Sequence, residues 1–188
     1  NVYQNRFGRS ELNLHSGAKL NERWHMGTFL HGATIYGRPD HNHDGFLDLT
    51  NGQTFSLLQR FAYQGKRMEA QVGLQAYSDR KNGGQVAYAQ AVPGAYGMLL
   101  ESQHLSLFSK TGFFGKKPAQ SLGLIANIKY QDLSGFYGLR AFQGNEKRFY
   151  FNAIYDDIIG NADHKIKAGA SMLALQISQY AVQPEGFL

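Results

Sequence analysis

Apolar and polar residues alternate with a period of two along most of this chain. From Leu12 the apolar positions run Leu12, Leu14, Ala18 and Leu20, interrupted at Ser16, with Glu11, Asn13, His15, Gly17 and Lys19 between them. Trp24, Met26, Thr28 and Leu30 continue the rhythm, and Phe29 is the exception among the intervening residues. The same alternation returns over 55–63, 68–76, 122–130, 137–141, 149–155 and 166–174. Side chains on a strand point to opposite faces in turn, so such segments predict strands with one apolar and one polar face. No stretch of comparable length follows a helical period, and the reading gives about nine strands.

The polar face carries Glu, Gln, Lys, Arg, Asn and Gly, which would fill a dry core poorly. The connections add a second constraint. Short turns are predicted near Asn21-Glu22, Gln64 to Lys66 and Gly144 to Glu146, with a slightly longer one over 115–120. Between them fall connections at 37–52, 80–97, 132–135 and 158–163. Tight turns at one end and long loops at the other are the plan of an up-and-down barrel spanning an outer membrane. Trp24, Tyr36, Tyr63, Tyr77, Tyr130 and Tyr155 lie near predicted strand ends, where an interfacial girdle sits. The plainer account is that Tyr favours strands. The expected fold is therefore all-β: an antiparallel up-and-down transmembrane β-barrel segment of about 8–10 strands, one region over 1–188.

Composition narrows the possibilities. Cysteine is absent from the 188 residues, which excludes disulfide scaffolds and thiolate metal sites. The net charge of +5 comes without any long Lys/Arg run or nucleic-acid motif, so it reads as a scattered positive surface and no nucleic-acid partner is expected. No run approaches 18 apolar residues, which argues against a transmembrane helix and leaves membrane strands open. The odd strand count, the start at Asn1 without a leader and the tail "YAVQPEGFL", which reads as a loop or the beginning of a strand, point to a piece of a larger barrel.

Two stretches carry candidate chemistry. In "GRPDHNHDGFLDLTNGQ", Asp40, Asn42, Asp44 and Asp48 occupy positions 1, 3, 5 and 9 of a calcium-loop template. Gly45 stands at the sharp-turn position, and Phe46 offers a backbone carbonyl at position 7. Asn51 replaces the bidentate Glu of position 12 and the flanks are strands, so the full EF-hand signature fails. A Ca²⁺ site on Asp40, Asn42, Asp44, Phe46 and Asp48 is the expectation; an acidic turn satisfying its own backbone is the alternative. Residues 80–97, rich in Gly, Tyr and Ala, offer Tyr88, Tyr96 and Gln85 as ligand contacts, or else form a surface loop. The seven His residues show no compact ligand spacing. No nucleophile elbow or phosphate-cradling glycine motif is present, so no catalytic residue and no enzymatic activity are expected.

The order of these motifs resembles a known family. "HGATIYGRPDHNHDGFLDLTNGQTFSLLQRFAYQGKRMEAQVGLQAYSDRKNGGQ" is similar to the early barrel strands of TonB-dependent outer-membrane receptors, especially the cobalamin-receptor-like branch. In that branch a strand ending in His-Gly precedes a D-x-N-x-D-G-F-x-D loop, an alternating hairpin and a Gly-Gly-Gln loop. "FYFNAIYDDIIGNADHKIKAGASM" resembles the family's N-x-I-Y and H-K-x-K-x-G-x-S pattern. The resemblance covers about residues 9–178. It implies a sector of a 22-stranded barrel in the bacterial outer membrane, importing cobalamin or a similar large scarce nutrient. It also implies calcium in the outer loops, coupling to the TonB complex through a plug domain, and a capping surface lipoprotein. This chain carries no plug domain and no TonB box, and has too few strands for the whole barrel. A small complete barrel of 8–10 strands acting as a pore, adhesin or structural element, and a soluble Ca²⁺-dependent β-sandwich, stand as alternatives.

Overall fold

The computed structural model describes residues 1–117, 119–160 and 164–182. Nine strands form one sheet in strict chain order, every neighbouring pair antiparallel: β1 (Val2–Gln4), β2 (Arg9–Lys19), β3 (Trp24–Ile35), β4 (Asn51–Gln64), β5 (Met68–Gly84), β6 (Gly97–Phe114), β7 (Ser121–Tyr137), β8 (Arg140–Ile158) and β9 (Lys165–Val182). The only helical element among the described residues is one turn, α1 (Val86–Ala89). Because all nine strands share one sheet, the two-sheet sandwich alternative does not hold.

The alternation sets the two faces. On one face the register aligns Leu14, Leu30, Leu57, Ala76, Leu105 and Tyr130 across β2 to β7. The next row toward the short turns holds Leu74, Leu107, Ile128, Phe149 and Ala174. Nothing in the described chain covers this face. Among the described residues only Ala70 counts as a buried apolar side chain, whereas Leu105 is 52% and Ile128 56% exposed.

The opposite face presents Asn13, His31, Ser56, Tyr77, His104, Gln131 and Glu146 in one row. His15, His25 and His31 lie on it, as the alternation predicts, and His104 of β6 joins them. Its charges are largely paired. Asp79, 5% exposed, accepts from Thr54 Oγ1 at 2.6 Å and meets Lys81 Nζ at 3.0 Å. Glu146 meets Arg148 at 2.9 Å. Gly73 on this face lies under the Phe108 ring of β6, and a Cβ there would overlap it.

Several predicted boundaries move. Gly144 to Glu146 forms no turn: Gly144 pairs Leu133 on one side and Gln179 on the other, inside β8. Residues 132–135 likewise lie within β7, and the reversal occurs at Gly138-Leu139, where Gly138 adopts φ 59°. A Gly-Asn pair favours a turn locally, but pairing along both edges of a central strand outweighs that preference. The segment from Gly97 to Phe114, whose apolar runs obscure the alternation, forms β6. The connection after Ile158 falls at the short-turn end, and Asn161 to Asp163 lie outside the described residues. Tyr180 to Val182 belong to β9; the rest of the tail lies outside the described residues.

With these corrections, the turns 20–23, 65–67 and 115–120 and the 159–164 connection lie at one end of the sheet. The connections 5–8, 36–50, 85–96 and 138–139 lie at the other, which holds both long loops. At the first end Asn21 closes the β2–β3 reversal: its Oδ1 accepts the N–H of Arg23 at 2.9 Å and of Trp24 at 3.0 Å.

Gly73→Ala is expected to lower stability by about 1–3 kcal/mol through overpacking against Phe108. The cost should fall by at least half in a Phe108→Leu background. Denaturant midpoints of the two single variants and the double variant check this, and equal costs in both backgrounds would contradict the contact.

Candidate binding site at the long-loop end

The two stretches that the sequence offered separately meet in space. Leu47 N–H donates to Gly84 O at 2.9 Å and Val86 N–H to Gly45 O at 2.8 Å, so Phe46 and Gln85 form a short antiparallel bridge. The acidic loop between β3 and β4 is thereby docked onto the end of β5. Gln85 then clips the β5–β6 loop to itself. Its backbone N–H donates to Tyr96 O at 2.9 Å, and its Oε1 accepts the Tyr96 N–H at 2.7 Å. Of the three residues predicted to meet a ligand, Gln85 therefore spends its carbonyl oxygen on holding the loop.

The rings form three pairs. Tyr96 lies 6.4 Å from Phe46 and is 44% exposed, and Phe46 is 42% exposed. Tyr88 packs over Gly97 and meets Phe136 edge-on at 6.1 Å. Phe7, from the β1–β2 connection, meets the His41 ring at 5.7 Å. Phe136 and Phe7 join the loop cluster without having been singled out in the sequence. The signal available for Phe136 was the aromatic pair between glycines in "GFYG".

The proposed metal donors are arranged by backbone hydrogen bonds. Asp40 accepts the N–H groups of Asp44 and Gly45, both at 3.1 Å, and Asp44 Oδ1 accepts that of Phe46 at 2.8 Å. Asn42 Nδ2 donates to Asp44 Oδ2 at 2.9 Å. The oxygens of Asp40, Asn42 and Asp44 thus gather on one exposed turn, which Gly45 permits with φ 82°. Asp48 turns instead to His41, accepting its N–H at 2.9 Å and contacting its Nδ1 at 2.7 Å. Among the described residues, no three His, Asp or Glu side chains stand together in a metal-binding group. The donor set that fits a hard cation here is the oxygen-only trio Asp40, Asn42 and Asp44; Asp48 would have to leave His41 to join it.

The Asp48 carboxyl is held below the usual carboxylate range, first by the His41 backbone N–H and then by the His41 side chain. A depressed folded-state value means that the contact stabilises the loop above the unfolded carboxylate pKa of about 3.9. The contribution is lost as pH falls through the lowered folded value. A carboxyl-carbon NMR titration should place the Asp48 midpoint below that of an unfolded peptide, and His41→Ala should raise it. A midpoint at the peptide value would contradict the contact.

Compared with protein-family models, with curated proteins and with solved structures, the chain matches none.

Proposed function

We propose that this chain is a lipid-facing sector of an outer-membrane β-barrel whose long loops bind a large nutrient for import. One observation carries the membrane part of the reading: the apolar face is a bounded, oblique band. Its upper limit is Phe55 on β4, Leu105 on β6, Tyr130 on β7 and Phe149 on β8. Beyond it the same face turns polar, with Ser78, Gln103, Asp132, Asn145 and Ser178 in one row. Trp24 and Tyr63, with ring centroids 5.1 Å apart, and Phe113 and Tyr155 mark the lower limit.

Between β4 and β8 the upper limit drops by four residues across four strand spacings. At about 3.3 Å per residue and about 4.8 Å per strand, that is a slope of about 35°. Strands of a membrane barrel tilt by about 35–45°, so the border of a horizontal slab of lipid would trace this upper limit. In β7 the band runs from Leu122 to Tyr130, about 27 Å along the strand and about 22 Å in height once tilted, close to the roughly 25 Å apolar belt of such barrels. A soluble single-layer sheet would have no reason to confine its apolar residues to an oblique stripe.

The transport part rests on the motif order that resembles TonB-dependent receptors, supported by the docking of the acidic loop onto the Gln85 segment. In this reading the cargo is cobalamin or a comparably large ligand, and Tyr96 and Phe46 offer exposed aromatic surface to it. Ca²⁺ on Asp40, Asn42 and Asp44 would stiffen the loop that carries Phe46. Passage through the lumen would draw on the TonB complex through a plug domain, and a surface lipoprotein would cap the loops.

Three measurements test this. Reconstituted protein should float with liposomes. Val72→Arg, in the middle row of the band, should cost about 2–4 kcal/mol, whereas Gln71→Arg on the polar face should cost far less. Equal costs, or failure to float, would sink the membrane reading. Calcium titrated calorimetrically should bind, and Asp40→Asn with Asp44→Asn should weaken it by at least about tenfold, since affinity follows the ligand charge count. Absence of heat, or affinity indifferent to both substitutions, would remove calcium from the account.

A further inference from the structure

A cleft of about 650 Å³ lies at the long-loop end, between the β1–β2 and β3–β4 connections. Two glycines bring these connections into backbone contact. Tyr36 N–H donates to Gly8 O at 3.1 Å, and a Cβ on Gly8 or Gly37 would run into the backbone of the other connection. Arg6 from the first connection and Arg38 from the second therefore line the same cleft. Among the described residues neither arginine makes an ion pair. Arg6 Cζ lies 4.9 Å from the Phe7 ring centre, and a ring face positions a guanidinium without neutralising it. Asp40 is the one carboxylate in the lining, and its oxygens accept the N–H groups of Asp44 and Gly45. Asp48 is held by His41. One carboxylate against two guanidiniums leaves the cleft positive.

We infer that this cleft holds the phosphate group of a ligand, gripped between the guanidiniums of Arg6 and Arg38. Oxygen count selects the anion. The two oxygens of a carboxylate are satisfied by a single guanidinium fork, whereas a phosphate has three acceptor oxygens and can engage two forks at once. The site also needs two arginines from separate connections, which is what the Gly8–Gly37 contact supplies. Two sources offer that chemistry: a soluble phosphorylated cargo and a phosphorylated glycolipid of the outer leaflet. That either reaches the cleft from outside the cell rests on the membrane reading above.

Titration of the full chain with inorganic phosphate, followed by the arginine Nε–Hε NMR signals in maltoside micelles without calcium, tests the site. Arg6 and Arg38 should shift together and saturate, while Arg60 on the polar face stays unmoved and acetate gives no comparable shift. Arg6→Gln and Arg38→Gln should each weaken binding about tenfold, the loss expected for one charge-assisted contact. Arg6→Lys and Arg38→Lys, which keep the charge without the fork, should lie between, and Arg60→Gln should leave binding unchanged. Absence of saturable shifts, an equal response to acetate, or equal weakening by Arg60→Gln would overturn the site. Micelles doped with a diphosphorylated glycolipid separate the two sources. Loss of the phosphate-induced shifts there would assign the cleft to the lipid, and their persistence would assign it to a soluble ligand. Flotation of the same protein keeps this inference apart from the membrane reading. Floating protein without the shifts would overturn the cleft alone, whereas shifts in protein that fails to float would overturn the membrane reading and leave the phosphate site.

Discussion

A single-layer sheet has to answer for two things at once: its backbone hydrogen bonds and its apolar face. The first is met internally, because each strand from β3 to β8 pairs on both sides over most of its length. The second is not met within the described chain, where large apolar side chains remain exposed across one face and, on β9, also at Leu173, Leu175 and Ile177 of the other. Apolar surface gains about 25 cal/mol per Å² on leaving water, so a face of this extent is costly in an aqueous setting. That unmet demand governs the rest of the account. It gives the band its bounds, the polar opposite face its role and the free outer sides of β1, β2 and β9 their meaning. In lipid, open sheet edges are not tolerated, so the proposed reading requires further strands beside β2 and β9.

The polar face follows from the same alternation. Its ion pairs, such as Lys81 with Asp79 and Arg148 with Glu146, neutralise charge without filling a dry core. Rings stack along it, His15 on Phe29 at 4.4 Å and Tyr77 on His104 at 5.0 Å, which stiffens neighbouring strands. A wall of this kind suits a wet lumen. At the long-loop end rigidity comes from backbone contacts between loops, with Gln85 as the common clip. Two loops far apart in sequence thus present Phe46 and Tyr96 as one exposed aromatic surface.

Much of this was legible in the residues. The period-two pattern assigns Leu14, Leu30 and Leu57 to one face and His15, His25 and His31 to the other without knowledge of register. The turn at Asn21 was legible because an Asn side chain can satisfy the reversing backbone locally. Gly144 to Glu146 misled for the converse reason: turn chemistry is local, whereas the strand there is held by β7 and β9. β6 was hard to see because Met98, Leu99 and Leu100 run together and Phe108 interrupts the polar face. At the loops, residue types suggested a cation site and an aromatic site. That the two dock on each other depends on the Phe46–Gln85 bridge, a pairing no local pattern encodes. The division of the acidic loop, with Asp48 drawn to His41, was equally hidden because it depends on loop conformation.

The central claim is that the apolar band meets acyl chains, and the chain carries its own probe. Trp24 is the only tryptophan in the sequence, 38% exposed and placed at the lower border of the band beside Tyr63. Its fluorescence in liposomes of lipids brominated at different depths along the acyl chain tests that position directly. The account predicts blue-shifted emission quenched most strongly by bromines close to the headgroup region. Emission at the wavelength of a water-exposed indole, indifferent to bromine at every depth, would contradict it.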